Sequence, residues 1–312
     1  MQLKMFLLIC TLLLGATCNV AAQETTPSLQ DLVNRAAKTT LDKFADKKLT
    51  ANQLSITLID LRDPSKPVIA SVRGNERIYP ASVVKLFYLV ATQHMLEKKE
   101  IEESPELSRA LRDMIVDSSN EATQYVVDVI THTTGGYELP QKEMEEWQYK
   151  RNSVNRYFAS LGYTNINVNQ KTFCEDAYGR ERFSRGPNGE NRNKLTTDAT
   201  ARLLMEVVTG KAVPGPRTTL MMELLKRSYT VQTSDTDNQG VGFTGGALKG
   251  IEGAKLWSKA GWTSTTRHDA AYIELPSGAK FVLVTFTTDR SNDRDIIPTV
   301  ASVILSGIGE IR

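Results

Sequence analysis

The chain has 312 residues, of which 40% are hydrophobic and 24% charged, and its formal net charge at pH 7 is +2. This composition is typical of a soluble globular protein with one large or two ordinary domains. Because the charges nearly balance and no basic tract is present, we expect no nucleic-acid partner.

The first 22 residues have the pattern of a secretory signal peptide. Lys4 precedes an apolar run over residues 5–15, and two small residues stand before Gln23. The run is too short to span a bilayer. We therefore expect cleavage after Ala22, export to the periplasm or the exterior, and no integral membrane span.

The cysteines fit this view. Cleavage after residue 22 removes Cys10 and Cys18 and leaves Cys174 as the only thiol, so no internal disulfide can form. A lipid anchor at Cys18 is the alternative, which the missing leucine three places earlier disfavours.

The remaining chain predicts strands near both ends and helices between them. Apolar spacing over residues 28–48 is that of an amphipathic helix. Two strands of a hairpin follow, residues 82–227 are mostly helical in period, and three strands and a last helix close the chain. The strand ranges are 54–61, 68–72, 254–259, 270–275 and 280–287, and the last helix covers 293–306.

This order predicts an α/β (α+β) fold with two lobes. An antiparallel sheet with flanking helices is assembled from both chain ends, and an all-helical lobe is inserted between them. We assign residues 23–312 to one catalytic domain, with a sheet lobe over 23–78 and 228–312 and a helical lobe over 79–227. The cleft between the lobes is the expected site.

A serine and a lysine lie one helical turn apart at the start of the helical block. Pro80 and the apolar residues that follow predict a buried helix beginning near Ser82. Burial would lower the pKa of Lys85, so that its amine could accept the proton of the Ser82 hydroxyl. The pattern alone is weak, because Ser277 and Lys280 repeat it in a predicted turn.

Two later motifs strengthen the first. Ser118 and Asn120 lie in a polar stretch after a helix, where a helix cap is the plainer interpretation. Lys259 ends a predicted strand, and Gly261 would let a ligand approach the backbone. Together with the Ser-x-x-Lys pair, these motifs match the three-part signature of class A β-lactamases and penicillin-binding proteins. The chain resembles the class A β-lactamase-like serine hydrolases from about residue 28 to its end.

That resemblance implies hydrolysis of β-lactam amides. Ser82 would attack the lactam carbonyl and form an acyl-enzyme, with Lys85 as the general base. The backbone N–H groups of Ser82 and Trp262 would form an oxyanion hole, in which each donor is worth on the order of a hundredfold in rate.

The resemblance also assigns roles around the bound substrate. Ser118, close to Lys259, would pass a proton to the departing nitrogen. Asn120 would hold the acylamide side chain, Lys259 would attract the substrate carboxylate, and Gly261 and Trp262 would line the site.

Two positions depart from the family pattern. Ser119 stands where an aspartate is usual, and Ala260 stands where a hydroxyl residue usually binds the substrate carboxylate. Carboxylate recognition is therefore weakened, or shared with Arg267 or His268.

The long polar loop over residues 165–194 lacks the Glu-Pro-x-x-Asn segment that supplies the family's deacylating glutamate, and loops of this length are often lids. Glu181 lies nearest the expected position, with Glu175 and Glu190 as alternatives, and for each of them a surface position is favoured over a catalytic one. Without such a base the enzyme would be acylated and then stall. The alternatives to hydrolysis are therefore a slow penicillin-binding or peptidase-like acylase, or a silent binding module.

We predict no cofactor. The three histidines are scattered, which argues against a metal site. The G-x-G-x-x-G match at residues 240–245 follows no strand and opens no helix, so it does not indicate a nucleotide site. The expected partner is a small-molecule β-lactam or cell-wall amide, and the expected state is a monomer.

Overall fold

A computed structural model describes residues 28–311; the predicted signal peptide lies outside the described residues. The strands are β1 (Leu54–Asp60), β2 (Val68–Val72), β3 (Lys226–Arg227), β4 (Lys255–Trp262), β5 (Thr266–Glu274) and β6 (Lys280–Thr288). They form one sheet in the order β2-β1-β6-β5-β4-β3, and every neighbouring pair is antiparallel. β1 pairs with β6 from the other end of the chain, as in the register Leu58↔Leu283.

Helices cover both faces of this sheet. They are α1 (Leu29–Lys43), α2 (Lys85–Lys98), α3 (Pro105–Ile115), α4 (Asn120–Thr131), α5 (Gln141–Arg151), α6 (Ser153–Ser160), α7 (Gly179–Arg185), α8 (Thr197–Val208), α9 (Pro216–Leu225) and α10 (Ile296–Gly307). α1 and α10 share one hydrophobic cluster with one face, and apolar residues of α2, α3, α4, α6, α8 and α9 share another with the opposite face. In the described part of the chain, none of the helices is long and apolar enough to cross a membrane.

Double-sided burial explains the almost continuous apolar run in β6. Val282, Val284 and Phe286 belong to the cluster of the helical region, whereas Phe281 and Leu283 belong to the α1–α10 cluster. Alternate side chains of a strand point to opposite faces, so a strand buried on both faces needs apolar residues at successive positions. The predicted α/β fold, with a sheet built from both chain ends and inserted helices, is confirmed.

The structure changes two details of the predicted elements. Residues Ala81–Val84 form a 3₁₀ turn, and the regular α-helix begins only at Lys85. Ala81 has φ +47°, in the left-handed region, which tightens the turn before the helix. The two-residue strand β3 has no sequence signal of its own, because it extends the sheet only by pairing with Trp257 and Leu256 of β4.

The loop over residues 165–194 also differs from a plain connector. It contains α7, and its two ends meet in an isolated bridge between Asn167 and Lys194. A second bridge, between Leu195 and Ile78, joins the end of the loop to the segment before Ser82. The pattern Arg-Glu-Arg at residues 180–182 favours a solvated face, and for Glu181 this interpretation is wrong, because only 4% of the residue is exposed.

Candidate active site

The turn that carries Ser82 is fixed to the sheet by two contacts. His268 on β5 is buried; its Nδ1 accepts a hydrogen bond from the Thr287 amide at 3.1 Å, so its Nε2–H donates to the Tyr79 carbonyl oxygen at 2.9 Å. Burial lowers the pKa of His268 to about 4. The imidazole is therefore neutral at pH 7 and joins the sheet to the segment just before Ser82.

The second contact is the close approach of β4. A Cβ atom on Gly261 would lie 2.7 Å from the amide nitrogens of both Ser82 and Val83. Contacts this short with backbone atoms cannot be relieved by a side-chain rotation, so only glycine lets β4 run along the turn. The sequence predicted that Gly261 lets a ligand approach the backbone; the close neighbour in the structure is the Ser82 turn itself, and the approach of a ligand stays a prediction.

The side chain of Lys85 is fully buried and faces oxygen atoms. Its Nζ lies 2.5 Å from the Ser118 carbonyl oxygen, 2.9 Å from Asn120 Oδ1 and 3.3 Å from Ser118 Oγ. Burial lowers the pKa of Lys85 to about 7, against the opposing influence of Glu121 and Cys174. An amine with this pKa is partly neutral at pH 7 and can accept a proton.

Ser118 lies between two lysines. Its Oγ is 3.3 Å from Lys85 Nζ and 3.0 Å from Lys259 Nζ, and its φ is +58°. The left-handed backbone lets the carbonyl and the hydroxyl of one residue both reach Lys85. Ser119, rather than Ser118, caps α4 by accepting a hydrogen bond from the Ala122 amide.

Lys259 is also fully buried. Its Nζ lies 2.7 Å from Gln239 Oε1 and 2.7 Å from the Ala260 carbonyl oxygen. Burial, and next the positive charges of Lys85 and Arg227, lower the pKa of Lys259 well below its usual value. The hydroxyl of Ser118 therefore joins two amino groups whose pKa values are both lowered by burial, an arrangement suited to moving protons.

The Ser82 hydroxyl makes no hydrogen bond to another described residue in this state. The Ser82 residue is partly exposed, and Lys85 uses its donors on Ser118 and Asn120. Hydrogen bonds of catalytic groups are often completed only when substrate binds. The structure therefore gathers Lys85, Ser118, Asn120 and Lys259 in one hydrogen-bonded group beside the turn that holds Ser82 and the adjoining strand residue Gly261.

Glu181 lies in a different environment, a buried ion cluster. Its carboxylate accepts bonds from Arg151 Nη1 at 2.7 Å and Nη2 at 2.8 Å, and Lys171 Nζ lies 3.1 Å from it. Asp128 completes the cluster, 2.7 Å from Lys171 and 3.2 Å from Arg151. Because its oxygens are occupied by cations, Glu181 is placed to hold α7 onto α4 and α5. Its role as a deacylating base stays a prediction.

A cysteine faces Asn120 from the long loop. Cys174 Sγ lies 3.5 Å from Asn120 Nδ2 and 3.9 Å from Glu121 Oε1. Among the described residues, no carboxylate accepts a hydrogen bond from Lys85 or Asn120.

The nearby carboxylate is Glu121, whose negative charge raises the pKa of Lys85. Sequence reasoning did not single out Glu121, although it directly follows the second motif.

Gln239 and Trp262 line a cleft of about 720 Å³ beside Lys259. The indole of Trp262 packs against Phe243, with ring centroids 5.6 Å apart. The sequence predicted Trp262 here, but Gln239 was hidden in a stretch that reads only as a polar loop.

Comparison with known proteins identifies the family and the fold of the chain. A profile of the Beta-lactamase enzyme family matches residues 94–307. The chain belongs to the Beta-lactamase enzyme family and is a β-lactamase-like serine hydrolase by class. No curated protein sequence matches the chain.

Solved structures share the fold at low identity. A β-lactamase from Sphaerobacter thermophilus is 18% identical, with a TM-score of 0.64 over 89% of this chain and 98% of that one. PBP-A is 16% identical, with a TM-score of 0.62 over 92% and 100% of the two chains. A β-lactamase from Xanthomonas campestris pv. campestris is 15% identical, with a TM-score of 0.62 over 90% and 99%.

Proposed function

We propose that this protein opens β-lactam-type amides by forming an acyl-enzyme on Ser82. The single observation that carries the proposal is the buried group in which Ser118 joins Lys85 and Lys259 beside the Ser82 turn. Lys85, with its pKa lowered to about 7, is the general base for Ser82. Ser118 passes the proton to the leaving nitrogen, and Asn120 orients the acyl side chain. Ser82 and Trp262 donate backbone N–H groups to the oxyanion.

Slow release of the acyl group is the finer part of the proposal. Deacylation needs a base that activates water, yet Cys174 is the loop residue that contacts Asn120, and Glu181 is bound to Arg151 and Lys171. One related structure supports this chemistry: a variant of PBP-A is described as an acyl-enzyme complex with penicillin G. Hydrolysis with steady turnover is the alternative.

A chromogenic cephalosporin separates the two outcomes. We expect one equivalent of product per enzyme in a burst, and a covalent adduct on Ser82 by mass spectrometry that is absent in Ser82→Ala. Ser277→Ala, which changes the duplicate motif, is the matched control and should keep the adduct. Sustained turnover after the burst would instead support hydrolysis. Because a cephalosporin carries a carboxylate next to the lactam nitrogen, the adduct test is repeated with its methyl ester, and a folded protein that forms no adduct with either compound would refute acylation at Ser82.

We also propose that the protein is exported. The support is the charged, apolar and small-residue pattern of residues 1–22. N-terminal sequencing of the protein recovered from its host should begin at Gln23. A mature chain that keeps Met1 would contradict export, and one that carries lipid on Cys18 would contradict cleavage after Ala22.

A further inference from the structure

The three N–H donors of the Lys259 ammonium all have partners within the protein. Gln239 Oε1 and the Ala260 carbonyl oxygen each lie 2.7 Å from Nζ, and Ser118 Oγ lies 3.0 Å away. An ammonium group has three donors and no more. Lys259 is fully buried, so a carboxylate ligand could bind it only by displacing one of these partners.

Gln239 is not a partner that moves aside easily. Its Oε1 also accepts from the Ala260 amide at 3.2 Å, and its Nε2 donates to the Val116 carbonyl oxygen at 2.9 Å. Only 8% of the residue is exposed. Moving Gln239 would leave the buried Ala260 amide without a partner, which costs about 1–3 kcal/mol, and would also remove the donor of the partly buried Val116 carbonyl.

The neighbouring residues that could replace Lys259 as carboxylate receptors are occupied as well. Ala260 offers only a methyl group, which lies in an apolar cluster with Phe243 and Ile297. Arg267 is 2% exposed and donates to Asp237 at 2.6 Å and to the carbonyl oxygens of Thr236 and Gly242. His268 uses both ring nitrogens on backbone groups, as described above.

The adjoining cleft has more acidic than basic side chains. Its acidic lining residues are Asp117, Asp235 and Asp237, and its basic ones are Lys226 and Arg227. The guanidinium of Arg227 donates to backbone carbonyl oxygens, including that of Ile115 at 2.8 Å. Asp237 is paired with Arg267 and Arg294, and Asp117 with Arg112, so the main cost to a carboxylate that enters this cleft is its loss of water.

We infer that the site selects substrates with no carboxylate beside the scissile amide, and that Gln239 and Ala260 set this preference. The inference rests on the proposed acylation at Ser82 and adds the substrate class: amides or activated esters whose neighbouring group is uncharged. Gln239 is a specificity-determining residue because it occupies the donor of Lys259 that a carboxylate would need.

A matched pair of reagents tests the inference. One penicillin is supplied as the free acid and as its methyl ester, and acylation of Ser82 is followed by mass spectrometry. We expect the ester to react at least as fast as the acid. The inference is overturned if the free acid acylates Ser82 more than about threefold faster than the ester. If Lys226→Ala then abolishes that faster reaction of the acid, Lys226 is the carboxylate receptor. A folded protein modified by neither reagent refutes the proposed function itself.

Variants test the assigned cause. Gln239→Leu frees one donor of Lys259 for the carboxylate of the acid. The ratio of the acid rate to the ester rate should rise about tenfold, which corresponds to about 1.4 kcal/mol for that one hydrogen bond. Gln141→Leu, on the exposed start of α5, should leave the ratio unchanged. An unchanged ratio in Gln239→Leu would refute the role of Gln239. If that variant does not fold, Gln239→Ser, a smaller side chain at the same position, also frees this donor of Lys259 and should raise the same ratio; no rise would overturn the inference.

Discussion

Gly261 and Ala81 position the Ser82 turn in complementary ways. Gly261 removes every side-chain atom where β4 meets the turn, and Ala81 takes a left-handed φ that most residues avoid. His268 then ties the turn to β5 through the Tyr79 carbonyl. The position of Ser82, the proposed nucleophile, therefore depends on the backbone geometry of the turn as much as on the lysines near it.

Gly261→Ala tests this dependence. The added Cβ would lie 2.7 Å from two backbone nitrogens, so the turn or the strand must move. We expect a loss of about 1–3 kcal/mol in the free energy of unfolding, and a fall in acylation rate of about a hundredfold, comparable to the loss of one oxyanion donor. Gly309→Ala, whose Cβ would meet no atom within 4 Å, is the control. Equal acylation rates in Gly261→Ala and the parent would contradict this account.

The lowered pKa of Lys85 predicts how the acylation rate constant varies with pH. Because its pKa is lowered to about 7, the amine is protonated and inactive as a base below that pH, and neutral above it. The acylation rate constant should rise about tenfold per pH unit below pH 7 and level off above it. Lys85→Arg should lose the rising limb, since a guanidinium stays protonated. A flat profile in the parent protein would exclude Lys85 as the base.

At the scale of elements, the ion cluster of Arg151, Glu181, Lys171 and Asp128 joins α7 to α4 and α5. Neutral amides hold the base of the same loop: Asn193 Oδ1 accepts from the amides of Asn169 and Gln170. The loop is thus held by ion pairs at α7 and by amide hydrogen bonds at its ends.

Arg151→Met should loosen the loop. Removal of one partner from a buried ion pair leaves an uncompensated charge, so we expect a loss of about 3–5 kcal/mol in unfolding free energy by denaturant titration. Asp42→Asn breaks the exposed Lys38–Asp42 pair and should change stability by less than about 1 kcal/mol. A similar small change in both variants would show that the cluster does not anchor α7.

Glu181→Gln separates anchoring from base catalysis. The amide keeps the size of the side chain but cannot act as a base. If Glu181 only positions α7, the deacylation rate should stay within about tenfold of the parent, with faster hydrogen exchange in residues 173–190. A loss greater than about a hundredfold, with exchange unchanged, would identify Glu181 as the base.

The contact of His268 with the Ser82 turn should make the free energy of unfolding sensitive to acid. The pKa of His268 is lowered to about 4 by burial, so the unfolded chain binds a proton more readily between about pH 6.5 and pH 4. The contribution of neutral His268 is complete above pH 6.5 and is lost as the pH falls through this window. The stability difference between the parent and the non-titrating His268→Phe should shrink by about 2.5 kcal/mol from pH 7 to pH 4.5. A constant difference would contradict this contribution.

At the scale of the whole molecule, local sequence patterns were enough to predict the sheet, its hairpins and the inserted helices. The apolar periods of β1 and β6 are local properties, and three short motifs indicated Ser82, Lys85, Ser118 and Lys259. The predicted roles of these residues still await the experiments above.

Other features depend on partners far along the chain. The burial of Glu181 is set by Arg151, and the importance of Gln239 is set by its contacts with Lys259 and Val116. Neither contact has a local period or motif, so sequence reasoning assigned both residues to polar loops. The 3₁₀ turn at Ala81 likewise arises from tertiary contacts with β4 and β5.

The pairing of β1 with β6 has a consequence for how the chain acquires its structure. Leu54 pairs with Thr287, so the middle of the sheet cannot close until nearly the whole polypeptide has been made. Contacts between such distant segments slow folding. Until β6 arrives, β1 has one unpaired edge and apolar side chains for both faces, the kind of surface that chaperones protect. A sheet that closes this late would leave the chain unfolded at the stage when the export proposed above would take place.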